Sequence, residues 1–205
     1  MTPAKRLFDI LAALVLLALL APLMGAIALA ILLRDGAPVL YVSERMRGPA
    51  EGFRFYKFRT MRPDPADSGV SGADKSTRIT PTGAFLRRTR LDELPQLWNL
   101  LRGDISLVGP RPPLREYVER FPDVYARVLR SRPGITGLAT VHFHAHEQRL
   151  LARSRSRAET DAIYCRACIP RKARLDLIYQ RRNTLCFDVV ILLRTVLPGL
   201  RRRRR

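Results

Sequence analysis

Residues 91–113 read LDELPQLWNLLRGDISLVGPRPP, and the rest of the chain is best understood from them. Asp92 and Glu93 stand just ahead of Pro95, a residue best tolerated in the first turn of a helix. Leu94, Leu97, Trp98 and Leu101 then recur at helical spacing, with Gln96 and Asn99 on the face nearer Asp92. Acids at a helix N-terminus meet backbone N–H groups and the positive end of the dipole, which favour negative charge. Arg87, Arg88 and Arg90 precede the pair, and Gly109-Pro110-Arg111-Pro112 stiffens a loop around a further arginine. Acids wedged among arginines point to phosphate chemistry with a metal ion. A surface helix with a capping acid has the same local pattern.

The 205 residues amount to one domain with room for a real core. Thirty-seven Lys plus Arg against 18 Asp plus Glu leave a net charge of +19, so the partners are anionic. Nucleic acid, an anionic membrane surface and phosphorylated small molecules all fit that charge. Three cysteines form no even disulfide framework and indicate a reduced, cytosol-facing protein.

Between Asp9 and Arg34 lie 24 uncharged, mostly apolar residues. As helix they extend about 36 Å, against roughly 30 Å for a hydrocarbon core. A signal peptide fits poorly, because the apolar run is too long and Asp9 interrupts the basic start. A straight spanning helix must place one flank outside, yet both flanks are basic: Lys5 and Arg6 before, Arg34, Arg45 and Arg47 after. A helix that bends at Pro22 and returns to the same leaflet satisfies both, and it is preferred modestly over spanning.

Residues 37–60 alternate in the pattern of two short strands around a Gly/Pro turn, with Lys57 and Arg59 pointing away from Phe58. Residues 62–81 are rich in Pro, Gly, Ser and Asp and form a loop. Thr82 is the expected cap of a helix GAFLRRTR, and Pro122 starts another short helix. SRPGITGLAT is a turn-rich connector feeding an extended segment, and residues 145–182 are polar, basic helix. Asn183 or Thr184 caps a last amphipathic helix, after which Arg201–Arg205 suit an anionic leaflet or a solvated tail.

Taken in order, KRLFDI with its proline-bearing apolar helix, FYKFRTM, TRITPTGAFLRRTRLDELPQLWNLLRGDISLVGPRPP, RPGITGLA and RNTLCFDVVILLRTV resemble the bacterial sugar transferase family. These are small monotopic phosphoglycosyl transferases, and the resemblance weakens only between about 141 and 178. It implies transfer of a sugar 1-phosphate from a UDP-sugar to polyprenyl (undecaprenyl) phosphate at the start of exopolysaccharide or glycoconjugate synthesis. Asp92 takes the family's nucleophile position, forming a phosphosugar-aspartate and releasing UMP, with Glu93 assisting. Mg²⁺, held by Asp92, is the implied cofactor, and Lys57, Arg87 and Arg111 match phosphate-binding positions. Arg88 and Arg90 are read as solvated surface charge.

The expected fold is mostly α with a short β-hairpin (α+β), carrying interfacial amphipathic helices. Residues 1–34 form a re-entrant membrane anchor kinked near Pro22. Residues 35–205 form a compact catalytic domain ending in an amphipathic helix and basic tail over 183–205. The catalytic domain is placed on the cytoplasmic face of the bacterial inner membrane, beside anionic lipids, and a homo-oligomer is compatible with the sequence.

Two departures from the family stand out. Ala21-Pro22 replaces its Ser-Pro pair, and His144 falls about where an arginine that contacts substrate phosphate is usual, a position from which a histidine can still donate to phosphate, more weakly and depending on pH. Cys165-Arg-Ala-Cys168 with the three histidines lacks the second fixed-spacing pair of a zinc site, so two reduced helix cysteines are the better reading. A non-catalytic basic membrane module is the rival class, but it has no need of Asp92-Glu93. An apolar anchor with few interleaved aromatics argues against nucleic acid.

Overall fold

The computed structural model describes residues 1–65, 69–70 and 72–197. Its elements are mostly helical, with two small sheets. Helix α1 (Pro3–Asp35) starts at Thr2, whose hydroxyl accepts from the Lys5 N–H, with Pro3 pre-set in its first turn. It runs through Pro22 as one helix, long and apolar enough to cross a membrane. Asp9, Ala13, Ile27 and Ile31 are its buried residues. Positions 9 and 27, like 13 and 31, are about five turns apart and so share one face. Leu11, Val15, Leu19, Leu29 and Leu33 on the rest of the surface are exposed.

Strands β1 (Leu40–Met46) and β2 (Gly52–Phe58) form the expected hairpin, with Phe53 and Phe55 buried by the period-2 alternation. Helices α2 (Pro81–Thr89) and α3 (Gln96–Arg102) flank a 3₁₀ turn at Leu91–Glu93. Strand β3 (Ser106–Val108) pairs in parallel with β4 (Gly134–Thr136), and α4 (Arg115–Arg120) and α5 (Pro122–Val128) lie between them. Then follow α6 (Leu138–Leu151), α7 (Arg157–Ile163), a π-helical turn at Tyr164–Cys168, α8 (Ile169–Arg181) and α9 (Leu185–Val196).

The two larger of three buried clusters organise these elements. One joins Ala13 of α1 to Leu97 and Leu100 of α3, Val108 of β3 and Ile191 of α9. The other gathers Tyr117, Val128, Phe143, Tyr164 and Cys168 from α4 to α8. Both ends of α1 are fastened to this body. Arg6 donates 2.8 Å bonds to the Leu100 and Leu101 carbonyls at the end of α3, and Lys5 reaches the Val108 carbonyl, the Tyr179 hydroxyl and the Asp188 carboxylate. Asp9 accepts from the Ser106 hydroxyl (2.7 Å) and the Leu107 N–H (3.2 Å). At the other end Arg59 donates to the Asp35, Gly36 and Ala37 carbonyls, and the Thr80 hydroxyl donates to the Asp35 carboxylate at 3.0 Å.

Several expectations change. Arg59 is buried and ties down the last turn of α1; it does not extend a basic strand face. Thr80, not Thr82, caps α2, accepting from the Gly83 N–H at 2.9 Å. No extended segment follows PGITG: α6 starts at Leu138, directly after an extended Gly137. Gln96 is buried, and Asn99 spends its amide on partners other than Asp92. Asn99 is buried and binds the Arg54 carbonyl, the Tyr56 N–H and Asp104, bracing β2 against α3. Trp98, expected in the apolar stripe, is 52% exposed. Thr184 caps α9, accepting from the Phe187 N–H. Arg201–Arg205 lie outside the described residues.

Candidate active site

The site is assembled by three backbone devices. On α2, Gly83 sits against the exit of β2, where any side chain would collide with the Thr60 carbonyl. That contact sets Arg87, whose Nε donates to the Thr60 hydroxyl at 2.9 Å. Arg90 then ends α2 in the left-handed region (φ 59°), turning the chain into the Leu91–Glu93 turn. The third device joins the Gly109-Pro110-Arg111 loop to the PGITG segment. Gly109 N–H donates to the Thr136 carbonyl and Gly134 N–H to the Pro110 carbonyl, both at 2.8 Å. The backbones are so close that a Cβ on Gly109 would strike the Arg132 carbonyl and one on Gly134 the Gly109 nitrogen. Arg111 is thereby held in a fixed place.

Lys57, Arg87, Asp92, Glu93, Arg111 and His144 all line one cavity of about 830 Å³. Glu93 accepts from Arg111 Nη2 at 2.7 Å and from Lys57 Nζ at 3.0 Å. Asp92 lies 3.9 Å from Lys57 Nζ, beyond hydrogen-bond distance. Burial pushes both carboxyls up, but the outcomes diverge. For Glu93 the Arg111 and Lys57 charges prevail and hold it well below the usual carboxylate range. For Asp92 burial prevails over Lys57, and its pKa is raised. Burial in turn lowers the Lys57 pKa against the pull of Glu93. Adjacent acids with pKa values pushed apart are suited to different roles.

Other placements depart from the sequence reading. His144 is in the cavity, but burial and the Arg90 and Arg111 charges lower its pKa to about 4, so it is neutral near pH 7 and gives no cationic substitute for an arginine. Arg90 lines the cavity, contrary to its reading as solvated charge; Arg88 is exposed and stacks over Phe85. Glu147, Lys172 and Asp176 also line the cavity without a motif in the sequence to mark them, as does Arg45, which in sequence reads only as a flank charge of α1. Near the first three the one available signal was Pro170, which follows the π-helical turn carrying Tyr164. Cys165 and Cys168 are free and buried in the second core.

Among the described residues no group of three or more His, Cys, Asp or Glu stands in a metal-holding cluster. Mg²⁺ makes a smaller demand: one or two carboxylates, with substrate phosphates and waters completing its shell. Asp92, free of a direct hydrogen bond to its cationic neighbour and lining the cavity, fits that requirement.

The family model described as bacterial sugar transferase matches residues 1–202. The UDP-N-acetylgalactosamine-undecaprenyl-phosphate N-acetylgalactosaminephosphotransferase of Aeromonas hydrophila is 36% identical over 205 residues, covering 95% of this chain and 44% of that protein. The UDP-glucose:undecaprenyl-phosphate glucose-1-phosphate transferase of Escherichia coli (strain K12) is 34% identical over 199 residues, covering 95% and 40%. The exopolysaccharide production protein PSS of Rhizobium leguminosarum bv. phaseoli is 41% identical over 169 residues, covering 78% and 84%. The chain therefore spans under half the length of the first two and most of the third.

Proposed function

Because this chain belongs to the bacterial sugar transferase family, we propose that it transfers a sugar 1-phosphate from a UDP-sugar to polyprenyl phosphate, with Asp92 as nucleophile. An Asp92 oxygen attacks the sugar-linked phosphorus, and the bond from that phosphorus to the bridging oxygen breaks. UMP leaves with that oxygen, and the phosphosugar stays on the aspartate. An oxygen of the acceptor phosphate then attacks the same phosphorus, freeing the Asp92 carboxylate and giving the polyprenyl diphosphate sugar. The observation that carries this reading is the unequal engagement of the two acids. Glu93 is held by Lys57 and Arg111, whereas Asp92 meets Lys57 only at 3.9 Å and keeps a raised pKa.

Among the described residues the cavity has ten cationic side chains against five acidic ones, which suits a diphosphate approaching two carboxylates. Arg87 and Arg111 orient the phosphates, and Lys57 fixes Glu93 and lowers the repulsion that Asp92 presents. Asp92, together with the substrate phosphates, would hold Mg²⁺, which would supply further neutralisation of diphosphate charge.

The same reading places α1 in the membrane as a re-entrant anchor over residues 1–34, with the catalytic domain following on the cytoplasmic face of the inner membrane. Support comes from the attachments at both ends of α1, near Arg6 and Asp35, to a single body. A straight crossing would separate those ends by a bilayer. The exposed apolar faces of α1 and α9, with Phe85 and Trp98, supply the surface that meets lipid.

The test is UMP release from a panel of UDP-sugars in detergent. Wild type is expected to release UMP from at least one donor and to carry a phosphosugar visible by intact mass, and Asp92→Asn to do neither. Equal release by Asp92→Asn sinks the nucleophile assignment.

A further inference from the structure

Beyond Arg111 the cavity continues into a polar end that the phosphate chemistry above leaves unused. Glu147 of α6, Tyr164 of the π-helical turn, Lys172 and Asp176 of α8 and Tyr125 of α5 line it. Lys172 Nζ donates to Glu147 at 2.8 Å and to the Tyr164 hydroxyl at 3.3 Å, and it lies 5.0 Å from the centre of the Tyr164 ring. Asp176 follows Lys172 by one helical turn. It is 6% exposed, and its Oδ1 is sealed from solvent with no hydrogen-bond partner among the described residues. Burial raises its pKa to about 7 against the pull of Lys172. A buried carboxyl oxygen without a partner is costly, so a cavity-lining residue that carries one marks a place where a small turn of the side chain lets a ligand donate to it.

We propose that this end of the cavity receives the sugar of the nucleotide-sugar donor, with ring hydroxyls donating to Asp176 and Glu147, Lys172 donating to a sugar oxygen, and Tyr125 and Tyr164 walling the ring. The inference rests on the phosphotransfer reading of the site. Every hydroxyl of a pyranose can donate to a carboxylate. Uracil offers one N–H and two carbonyl acceptors, which two carboxylates would oppose. The polar end also adjoins the phosphate site, because Arg111, paired with Glu93, feels the Glu147 charge as well. Sites built to bond a particular hydroxyl discriminate strongly against a donor that lacks or misplaces it. Glu147, Lys172 and Asp176 would therefore set which sugar is accepted.

The test uses the full chain in detergent, UDP-sugars that differ at single ring hydroxyls, and UDP as inhibitor. In Asp176→Asn the KM for the preferred donor rises roughly tenfold or more and the ranking of the epimers flattens, while inhibition by UDP stays within about twofold. Glu147→Gln shifts the ranking in the same sense and carries the test if Asp176→Asn does not fold. An unchanged ranking in the folded variants, or UDP inhibition falling in step with donor affinity, overturns the assignment. If wild type releases UMP from no donor, the phosphotransfer reading fails instead. The sugar contact is then read from thermal protection, which should be greater for a UDP-sugar than for UDP and lose that excess in Asp176→Asn. Equal protection of wild type by the two overturns it.

Discussion

Replacing Asp176 with asparagine isolates the cost of burying one carboxyl. The side chain is 6% exposed, and burial holds its pKa at about 7 against the usual 3.8, with Lys172 opposing the shift and Glu147 reinforcing it. A raised acid pKa means that the folded state prefers the neutral form. The carboxyl's contribution to stability is therefore whole below about pH 4, declines as pH rises, and is lost once pH passes about 7. A shift of about three units is worth about 4 kcal/mol at high pH, and about 3 kcal/mol of that changes between pH 5 and 8.5. Asparagine carries no such charge, so Asp176→Asn should gain on wild type across this window. For a chain of this size each kcal/mol moves Tm by roughly 2–4 °C, so the gap between variant and wild type widens by roughly 5–10 °C. Thermal unfolding in detergent at matched ionic strength measures it, and every other titration common to the two proteins cancels in the difference. A gap that stays constant from pH 5 to 8.5 would refute the reasoning, because the carboxyl would then not titrate in the folded state as its burial requires.

Three further outcomes follow from contacts elsewhere. Lys57→Met removes a charge that lowers the Asp92 pKa, so the acidic limb of the pH profile of UMP release moves to higher pH and its plateau falls roughly 100-fold or more; an unmoved limb separates Lys57 from Asp92. Arg59→Ala strips the donor from three carbonyls at the end of α1 and lowers stability by about 2–3 kcal/mol, read as a drop in Tm. Trp98→Ala, at a side chain 52% exposed on α3, weakens partition into anionic liposomes by roughly threefold or more while leaving Tm unchanged.

Long-period features of this fold were legible in the sequence, and short or non-local ones were not. Twenty-four uncharged residues announce α1, alternation around Phe53 and Phe55 announces the hairpin, and Thr184 ahead of an apolar stripe announces α9. The parallel pair β3–β4 has three residues in each strand, too few to establish a period. The run from Val141 to His146 has no such excuse: its polar and apolar residues alternate as a strand would, yet α6 buries Val141 and Phe143 inside a helix packed on α8. Asp9 is a sharper case. In sequence it is a charge spoiling an apolar run, but in the fold it is the acceptor that joins α1 to the Ser106 hydroxyl and the Leu107 N–H, about a hundred positions away. Lys5 and Arg6 likewise read as flank charges and prove to hold carbonyls and Asp188. Pattern tells which face a residue occupies and is silent on its partner.

For the site the same limit decides what could be read. Lys57, Arg87, Asp92, Glu93 and Arg111 lie in motif-bearing stretches, and the structure brings all five to one cavity. Glu147, Lys172 and Asp176 lie in the segment where the resemblance fades, and only the packing of α6 on α8 brings them together. Nor does the sequence distinguish two neighbouring acids. In the fold, Glu93 turns toward two cations and is held by both, whereas Asp92 stays beyond hydrogen-bond distance of Lys57 in a buried position that raises its pKa. A carboxylate whose lone pairs are committed to Arg111 and Lys57 must break those bonds before it can attack phosphorus. On the proposed reading Asp92, without such bonds, would attack with no such loss, and its raised pKa would make it the more basic of the two carboxylates. The proposed division of labour between Asp92 and Glu93 would then follow from where two cations stand.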